Sequence, residues 1–275
     1  MPVCSTLEVS DFDLPELGWY RTLSRSGHHY REGVFVAEGE KVVPRLLETP
    51  LKVRSLLISR DWFRRLEAQL DARPDPVRVF LIEKPEMEAL TGRSCYQPVK
   101  AVAEIPGRIT VDQLLNRLPA PRLLVALDGL SNADNVGAVV RSCAAFGVSG
   151  VLVGDNAASP YLRRAVHASM GAVFSVPIVE SCSLIKAIRR LQAEGVSCLA
   201  AHPAAGGGRL PGVALPEDVC LFLGSEGHGI AGELVDACDR EVAITMANGI
   251  DSLNVASSSA VFLFELQRQR GHRAE

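Results

Sequence analysis

Three short segments of this 275-residue sequence carry the side chains best suited to chemistry. In the first, DGLSNADNVGAVVR, Asn135 stands where an apolar stripe begins, and Val136, Val139, Val140, Cys143 and Phe146 then recur at the spacing of an amphipathic helix that stops at Gly147. Arg141 lies five residues past Val136, about 140° round that helix, so it points away from the stripe with Gly137 on its own face. Asn135 lies at the helix start, where free N–H groups favour anions, and a solvated arginine on a capped surface helix is the plain alternative. The second segment, GSEGHG at 224–229, follows the apolar run VCLFL; Gly224, Gly227 and Gly229 permit a tight turn with exposed backbone, and Glu226 adds a carboxylate. It is neither a P-loop nor a G-x-G-x-x-G turn. The third, MANGIDSLNVASSSAVFLFEL, sets Ser252 and Asn254 on either side of Leu253 at the start of the last helix, where hydroxyl and amide can cap the helix or bind a ligand. Each segment alone also fits an ordinary capped turn. Ordinary turns do not predict all three at the same place relative to their strands.

The elements that must position these loops form an alternating pattern. LLVAL, GVLVG, VFSVPIV near 173–179, SCLAA, VCLFLG and EVAIT make about six short apolar strands, separated by helical stretches such as SLIKAIRRLQAEG, which carries Leu184, Ile188 and Leu191 on one side and ends at Gly195. Strands alternating with helices predict a parallel α/β sheet, whose ligands gather at the carboxyl ends of its strands. A final helix is expected from about Leu253 to Arg270. Residues 20–103 also alternate apolar runs with charged stretches, and IPGRITVDQLLNRLPAPR, bracketed by Pro106, Gly107, Pro119 and Pro121, reads as a connector. The expected division is therefore 1–104, a linker at 105–120, and 121–275. AAGGGR at 204–209 is the one low-complexity stretch.

Hydrophobic residues at 47% and charged ones at 22% describe a globular chain, and only 5% aromatics suits aliphatic parallel strands. A net charge of −3 and a pI near 6.1 exclude a strongly basic nucleic-acid binder overall. Residues 20–65 nevertheless hold 10 basic and 5 acidic side chains, a local excess of five. Seven scattered cysteines with no C-x-x-C pair suggest neither zinc nor disulfides, which points to a reducing, cytoplasmic setting. The N-terminus lacks the basic start and apolar run of a signal peptide, and no stretch reaches ~18 apolar residues, so neither secretion nor a membrane span is expected. The histidines, His28, His29 and His228 among them, offer no ligand set, and no metal is called for.

Together NVGAVVR, LGSEGHGI and ITMANGIDSLNVASSSA resemble the three motifs of the SpoU/TrmH family (SPOUT superfamily) of RNA 2′-O-ribose methyltransferases, whose usual forms are N-x-G-a-x-x-R, G-x-E-x-x-G and I-P-m-x-g-x-x-x-S-L-N-V. The resemblance spans roughly 121–270, and HASMGAVFSVP resembles the family's intervening segment. Thr245 departs from it, standing where the family commonly has proline. YREGVFVAEGEKVVPRLLE is similar to the N-terminal substrate-binding domain of many members, itself like a small ribosomal protein. The resemblance implies a C-terminal trefoil-knotted parallel-sheet methyltransferase domain behind a smaller N-terminal α/β domain. It further implies S-adenosylmethionine as cofactor, with Gly224, Ile244 and Leu253 lining its pocket and Asn135, Arg141, Glu226, Ser252 and Asn254 round the reacting ribose. A larger residue at 224 is then expected to obstruct the cofactor. Ribosomal RNA is favoured over tRNA as partner, and a homodimer through the knotted domain, with Val261, Leu263 and Phe264 offering an apolar surface, is expected. The alternatives are a tRNA enzyme and a catalytically inactive RNA-binding member, although the latter would tolerate loss of Arg141 or Asn254 and both are present. Phosphate contacts are expected among Arg21, Arg25, Arg45, Arg54, Arg64 and Arg65, or else at Arg163 and Arg164.

Overall fold

The computed structural model describes residues 4–203 and 208–271, so most of the AAGGGR stretch lies outside the described residues. Contacts divide the chain into one unit of Met1–Gly107 with Tyr161–Ser175, and a second of Arg108–Pro160 with Val176–Glu275. The first unit holds strands β1 (Cys4–Glu8), β2 (Val34–Glu38), β3 (Val53–Ile58), β4 (Val77–Leu81) and β5 (Val99–Glu104). Their order is β1-β4-β3-β5-β2, with β1, β4 and β3 parallel and β5 antiparallel to both β3 and β2. Helices α1 (Gly18–Arg21), α2 (Ser26–Arg31), α3 (Val42–Leu47), α4 (Arg60–Asp71) and α5 (Lys84–Thr91) connect them. Local chemistry sets the ends: the Ser59 hydroxyl accepts from Trp62 N at the start of α4, and α5 opens on a Glu83–Glu86 capping box and closes on left-handed Gly92. Leu56, Leu57, Ile58, Val79, Phe80 and Val102 are buried in its sheet.

A buried arginine closes this unit's α3–β3 loop. The Arg73 side chain is 3% exposed and donates to the carbonyls of Leu47 (2.8 Å), Thr49 (3.2 Å) and Leu51 (2.6 Å) while gripping the Asp75 carboxylate. Asp75 also accepts from Val53 N at 2.9 Å. Burial pushes the Asp75 carboxyl up, but the Arg73 hydrogen bond and the Val53 N–H outweigh it and hold the group below its ordinary value. Glu38 behaves alike, its burial outweighed by Lys100 and Arg163.

The second unit carries α6 (Val111–Leu115), β6 (Leu123–Leu127), α7 (Ala133–Ala145) and β7 (Gly150–Gly154); α8 (Arg163–Ala168) follows in the segment grouped with the first unit. Then come β8 (Ile178–Cys182), α9 (Leu184–Ala193), β9 (Ser197–Ala201), β10 (Arg209–Leu210), β11 (Val219–Leu223), α10 (Gly232–Ala237), β12 (Arg240–Ile244) and α11 (Val255–Gly271). The sheet is parallel throughout, in the order β10-β12-β9-β11-β6-β7-β8. Every residue of β6, β7 and β11 is buried, which explains their unbroken apolar runs. The amphipathic piece of the Pro-bracketed stretch forms α6, capped by Thr110 and Gln113, and its Leu114 and Leu115 join this unit's core.

Two details differ from the sequence reading. VFSVPIV is not one strand: Ala172–Phe174 is a 3₁₀ turn entered through left-handed Gly171, and β8 starts only at Ile178. Its apolar character reflects packing instead, since Val173 is buried and Phe174 stacks on Phe35 with ring centroids 5.5 Å apart. The two-residue β10 is too short to leave a periodic signal.

Asp75 and Glu38 have lowered folded-state pKa values, so each stabilises the fold above its unfolded value and loses that contribution as pH falls through the folded one. The denaturation midpoint of the chain is expected to drop between about pH 5 and about pH 3. Arg73→Ala, which strands a carboxylate and three carbonyls, should cost roughly 3–5 kcal/mol at neutral pH and flatten the acid limb. Urea titrations at several pH values check both; a pH-independent difference between variant and parent would refute the role given to Asp75.

Candidate active site

At the carboxyl end of the second unit's sheet, the loops after β6, β11 and β12 meet through side chains. Asn254, the residue before α11, donates from Nδ2 to Asn135 Oδ1 at 3.2 Å and to Glu226 Oε1, while its Oδ1 accepts from Ala256 N at 2.9 Å. One amide thus caps the last helix and ties it to the other two loops. Asn135 reaches it from the third position of α7, which the Asn132 side chain caps by accepting from Asp134 N.

The second loop is shaped by its own backbone. Ser225 and Gly229 exchange N–H···O bonds at 3.0 and 2.9 Å, and His228 N donates to the Ser225 hydroxyl at 3.2 Å. This turn folds back so closely that a Cβ on Gly224 would lie 2.1 Å from Gly229 C. Gly224 is therefore demanded by the loop itself, before any ligand is considered. In the third loop Asn248 and Gly249 both have positive φ, and Ile250 N bonds Ala247 O at 3.2 Å, the two-residue turn that an Asn-Gly pair favours. Thr245 donates its hydroxyl to Leu210 O at 3.1 Å, a tether in place of proline's fixed φ.

The expected site residues fall into two groups. Asn135, Glu226 and Asn254 are joined. Arg141, six residues along α7 from Asn135 and thus about 9 Å along the axis, is exposed and has no side-chain partner among the described residues. Ser252 is likewise exposed without a partner, Ile244 is half-buried at the end of β12, and Leu253 is left 40% exposed. Sequence reasoning missed Asp128, which is buried at the end of β6 and accepts from Asn156 Nδ2 (2.9 Å) and Ala231 N (2.8 Å). Asn156 Oδ1 in turn accepts from Gly129 N at 2.9 Å, so the pair fastens the first loop to the loop after β7 and to the end of the second. The available signal was an acid placed directly after a wholly apolar strand. Among the described residues no group of three or more His, Cys, Asp or Glu is placed to hold a metal ion.

This arrangement can be compared with known proteins. The model of the SpoU rRNA Methylase family matches residues 122–264, slightly more than half the chain, and includes all three loops. The chain belongs to the SpoU rRNA methylase family. A 23S rRNA (guanosine-2′-O-)-methyltransferase, RlmB, from Nitrosomonas europaea is 30% identical over 84% of this chain and 90% of that protein. An rRNA methyltransferase from Sinorhizobium meliloti, solved with AdoMet bound, superposes with a TM-score of 0.81 at 26% identity, covering 96% of this chain and 98% of that one. The SpoU methyltransferase AviRb from Streptomyces viridochromogenes shares the fold at a TM-score of 0.78 and 24% identity, over 93% of this chain and 98% of its own. For this SpoU chain, membership implies the family's trefoil-knotted fold.

Two glycines of the second SpoU loop should separate cleanly. Gly224→Ala is expected to lower the thermal midpoint by roughly 5–10 °C, because the added carbon meets backbone. Gly227→Ala, whose Cβ would meet nothing within 4 Å, should leave the midpoint unchanged. Calorimetric melts decide it; a Gly224→Ala protein as stable as the parent would contradict the closed turn.

Proposed function

We propose that this chain methylates the ribose 2′-hydroxyl of RNA, with ribosomal RNA as substrate and S-adenosylmethionine as methyl donor. The observation that carries the reading is the Asn254 amide, which gathers the three family motifs at one end of one sheet. The RlmB relative supports the ribosomal substrate, and the AdoMet-bound S. meliloti relative supports the cofactor.

The residues present fit the cofactor. Leu253 and Ile250, on the loop that follows Ile244, expose apolar side chains at 40% and 57%, and the Gly224–Gly229 loop leaves open space over Gly227 and Gly229. Apolar walls beside exposed amides suit an adenosyl group. When bound, S-adenosylmethionine supplies an electrophilic methyl group. Leu253 and Ile244 would hold its apolar part, and the backbone from Gly224 its polar edge.

The chain's own residues handle the ribose. Arg141, always charged and free of internal partners, binds the neighbouring phosphate and stabilises negative charge growing on the 2′-oxygen. Asn135 and Asn254 orient the sugar within hydrogen-bond reach. Glu226 Oε1 is held by Asn254, and Oε2, without a partner among the described residues, is the oxygen offered to the 2′-hydroxyl proton. Ser252 closes the ribose pocket from the third loop.

We assign RNA delivery to residues 1–104. Of the six arginines expected to contact phosphate, Arg21 is bonded to Phe12 O, Arg45 to Met170 O and Arg54 to Glu104, while Arg64 faces Asp61 and Arg65 lies over the Trp62 ring. Arg25 is exposed with no side-chain partner among the described residues. Arg163 is committed to Glu38. A homodimer through α11 is supported by Val261 and Phe264, 40% and 59% exposed, whereas Leu263 belongs to the core.

Arg141→Ala should lower turnover on total RNA by roughly 100-fold or more while the calorimetric Kd for S-adenosylmethionine stays within about twofold. Retention of most activity would remove Arg141 from the mechanism. Phe264→Glu should convert the dimer to monomer in light scattering at micromolar concentration; a parent protein that is already monomeric disposes of the dimer.

A further inference from the structure

The first unit contains a cavity of about 410 Å³ that no part of the methyl-transfer reading uses. Its floor is a buried ion cluster at the end of β2: Glu38 and Lys100 face each other across the β2–β5 pair, Lys100 Nζ lies 3.1 Å from Glu38 Oε2, and Arg163 bonds Oε1. The Lys100 side chain is 5% exposed. Two cations thus share the Glu38 carboxylate, Lys100 from within the lining and Arg163 from behind it, while Glu40 adds a second carboxylate to the walls. Its walls are fixed to each other, because Gln97 Nε2 donates to Glu40 Oε2 at 2.5 Å and Gln97 Oε1 accepts from Glu40 N at 3.2 Å, locking the turn after β2 to the loop before β5. Lys41 and His167 bring further polar groups. At the rim stands Tyr96, an aromatic ring left 93% exposed.

A cavity roomy enough for a nucleotide and lined by polar and apolar atoms alike, a rigid amide and carboxylate, an exposed lysine and a bare ring at the mouth combine the chemistries that recognise an unstacked nucleotide: a stacking face, hydrogen-bonding partners for a base edge, and positive charge for phosphate. We propose that this cavity takes one unpaired nucleotide of the RNA substrate, its base laid against Tyr96 and its phosphate towards Lys41; the proposal rests on the RNA-methyltransferase reading above. The charged floor disfavours an apolar occupant, since any group entering must replace the water on those ions.

The test uses the full chain, total rRNA and an rRNA transcript carrying 4-thiouridine. Tyr96→Ala should weaken rRNA binding by about tenfold, the loss expected of one stacked base, while Tyr96→Phe keeps it. The effect should fall on KM for RNA with kcat unchanged and S-adenosylmethionine affinity intact, and photo-crosslinks should map to residues 94–100. Because Tyr96 is exposed, an unchanged thermal melt confirms that the variants fold. Tyr96→Ala binding rRNA like the parent, or crosslinks confined to other segments, would overturn the proposal. So would binding of adenosine or guanosine monophosphate in the cavity with rRNA affinity unaffected by Tyr96→Ala, which marks a small-molecule site. A parent chain that binds S-adenosylmethionine but neither binds nor methylates any RNA defeats the functional reading itself, and this inference with it.

Discussion

The second unit's site depends on the hydrogen-bonding capacity of one side chain, the Asn254 amide. An asparagine offers two donors and an oxygen with two lone pairs on a short stem; here both donors are used, on Asn135 and on Glu226, and one lone pair takes the first turn of α11, which leaves the second lone pair for a ligand. Aspartate in its place would set a carboxylate against Glu226, and glutamine would lengthen the stem and lose the local cap. The partners lie 119 and 28 residues away in sequence. The bond therefore constrains chain path as well as side-chain geometry. β12 is separated from β6 by β9 and β11, so residues 245–254 must cross the ends of two strands to reach α7. Three strand spacings are about 14 Å, and ten residues can span about 33 Å, so the crossing is made with slack that the Asn-Gly turn and the Thr245 tether take up.

What surrounds this junction is aliphatic and small. The central strands are buried along their whole length, and cysteines fill positions that valine or alanine could otherwise take: Cys198 and Cys220 are cross-strand partners in register on β9 and β11. Burial pushes the thiols of Cys143, Cys198 and Cys220 far above their ordinary values and that of Cys182 to about 11, so they behave as apolar volume rather than as nucleophiles. Rigid strands end in loops whose polar groups are satisfied by one another. Asp128 and Asn156 do for the first loop what Asn254 does for the third.

The parts of this organisation that were legible in sequence are those written in local spacing. The stripe from Val136 to Phe146 located α7, and Gly147 and Gly195, both at positive φ, marked where helices stop. Motif order placed Asn135, Glu226 and Asn254 in loops that do converge. The parts not legible depend on what a residue meets elsewhere. Nothing in GSEGHG reveals that Gly224 would strike Gly229, because the collision exists only once the turn has closed. The basic excess of residues 20–65 counted charges without their commitments, and five of the six named arginines have a partner on an internal carbonyl, a carboxylate or a ring. VFSVPIV misled because its valines, buried at every third position (Val173, Val176 and Val179), make an apolar run as dense as a strand's although the segment opens on a 3₁₀ turn.

Arg141 and Asn254 show why a site needs both tied and untied groups. A side chain that orients a ribose must already occupy its place, since ordering it during binding would spend the interaction energy it brings; under the reading proposed above, the bond between Asn254 and Glu226 meets this. A cation that answers charge developing on the sugar oxygen must instead arrive without an internal anion, because a paired guanidinium has that much less to offer the transition state. Among the described residues the buried arginines Arg73 and Arg122, and half-buried Arg163, each sit on a carboxylate. Arg141 does not, and its position one helical face away from the core stripe of α7 is what keeps it so. The helix thus presents its packing face to α11 and leaves Arg141 on another, a division set by the 3.6-residue repeat.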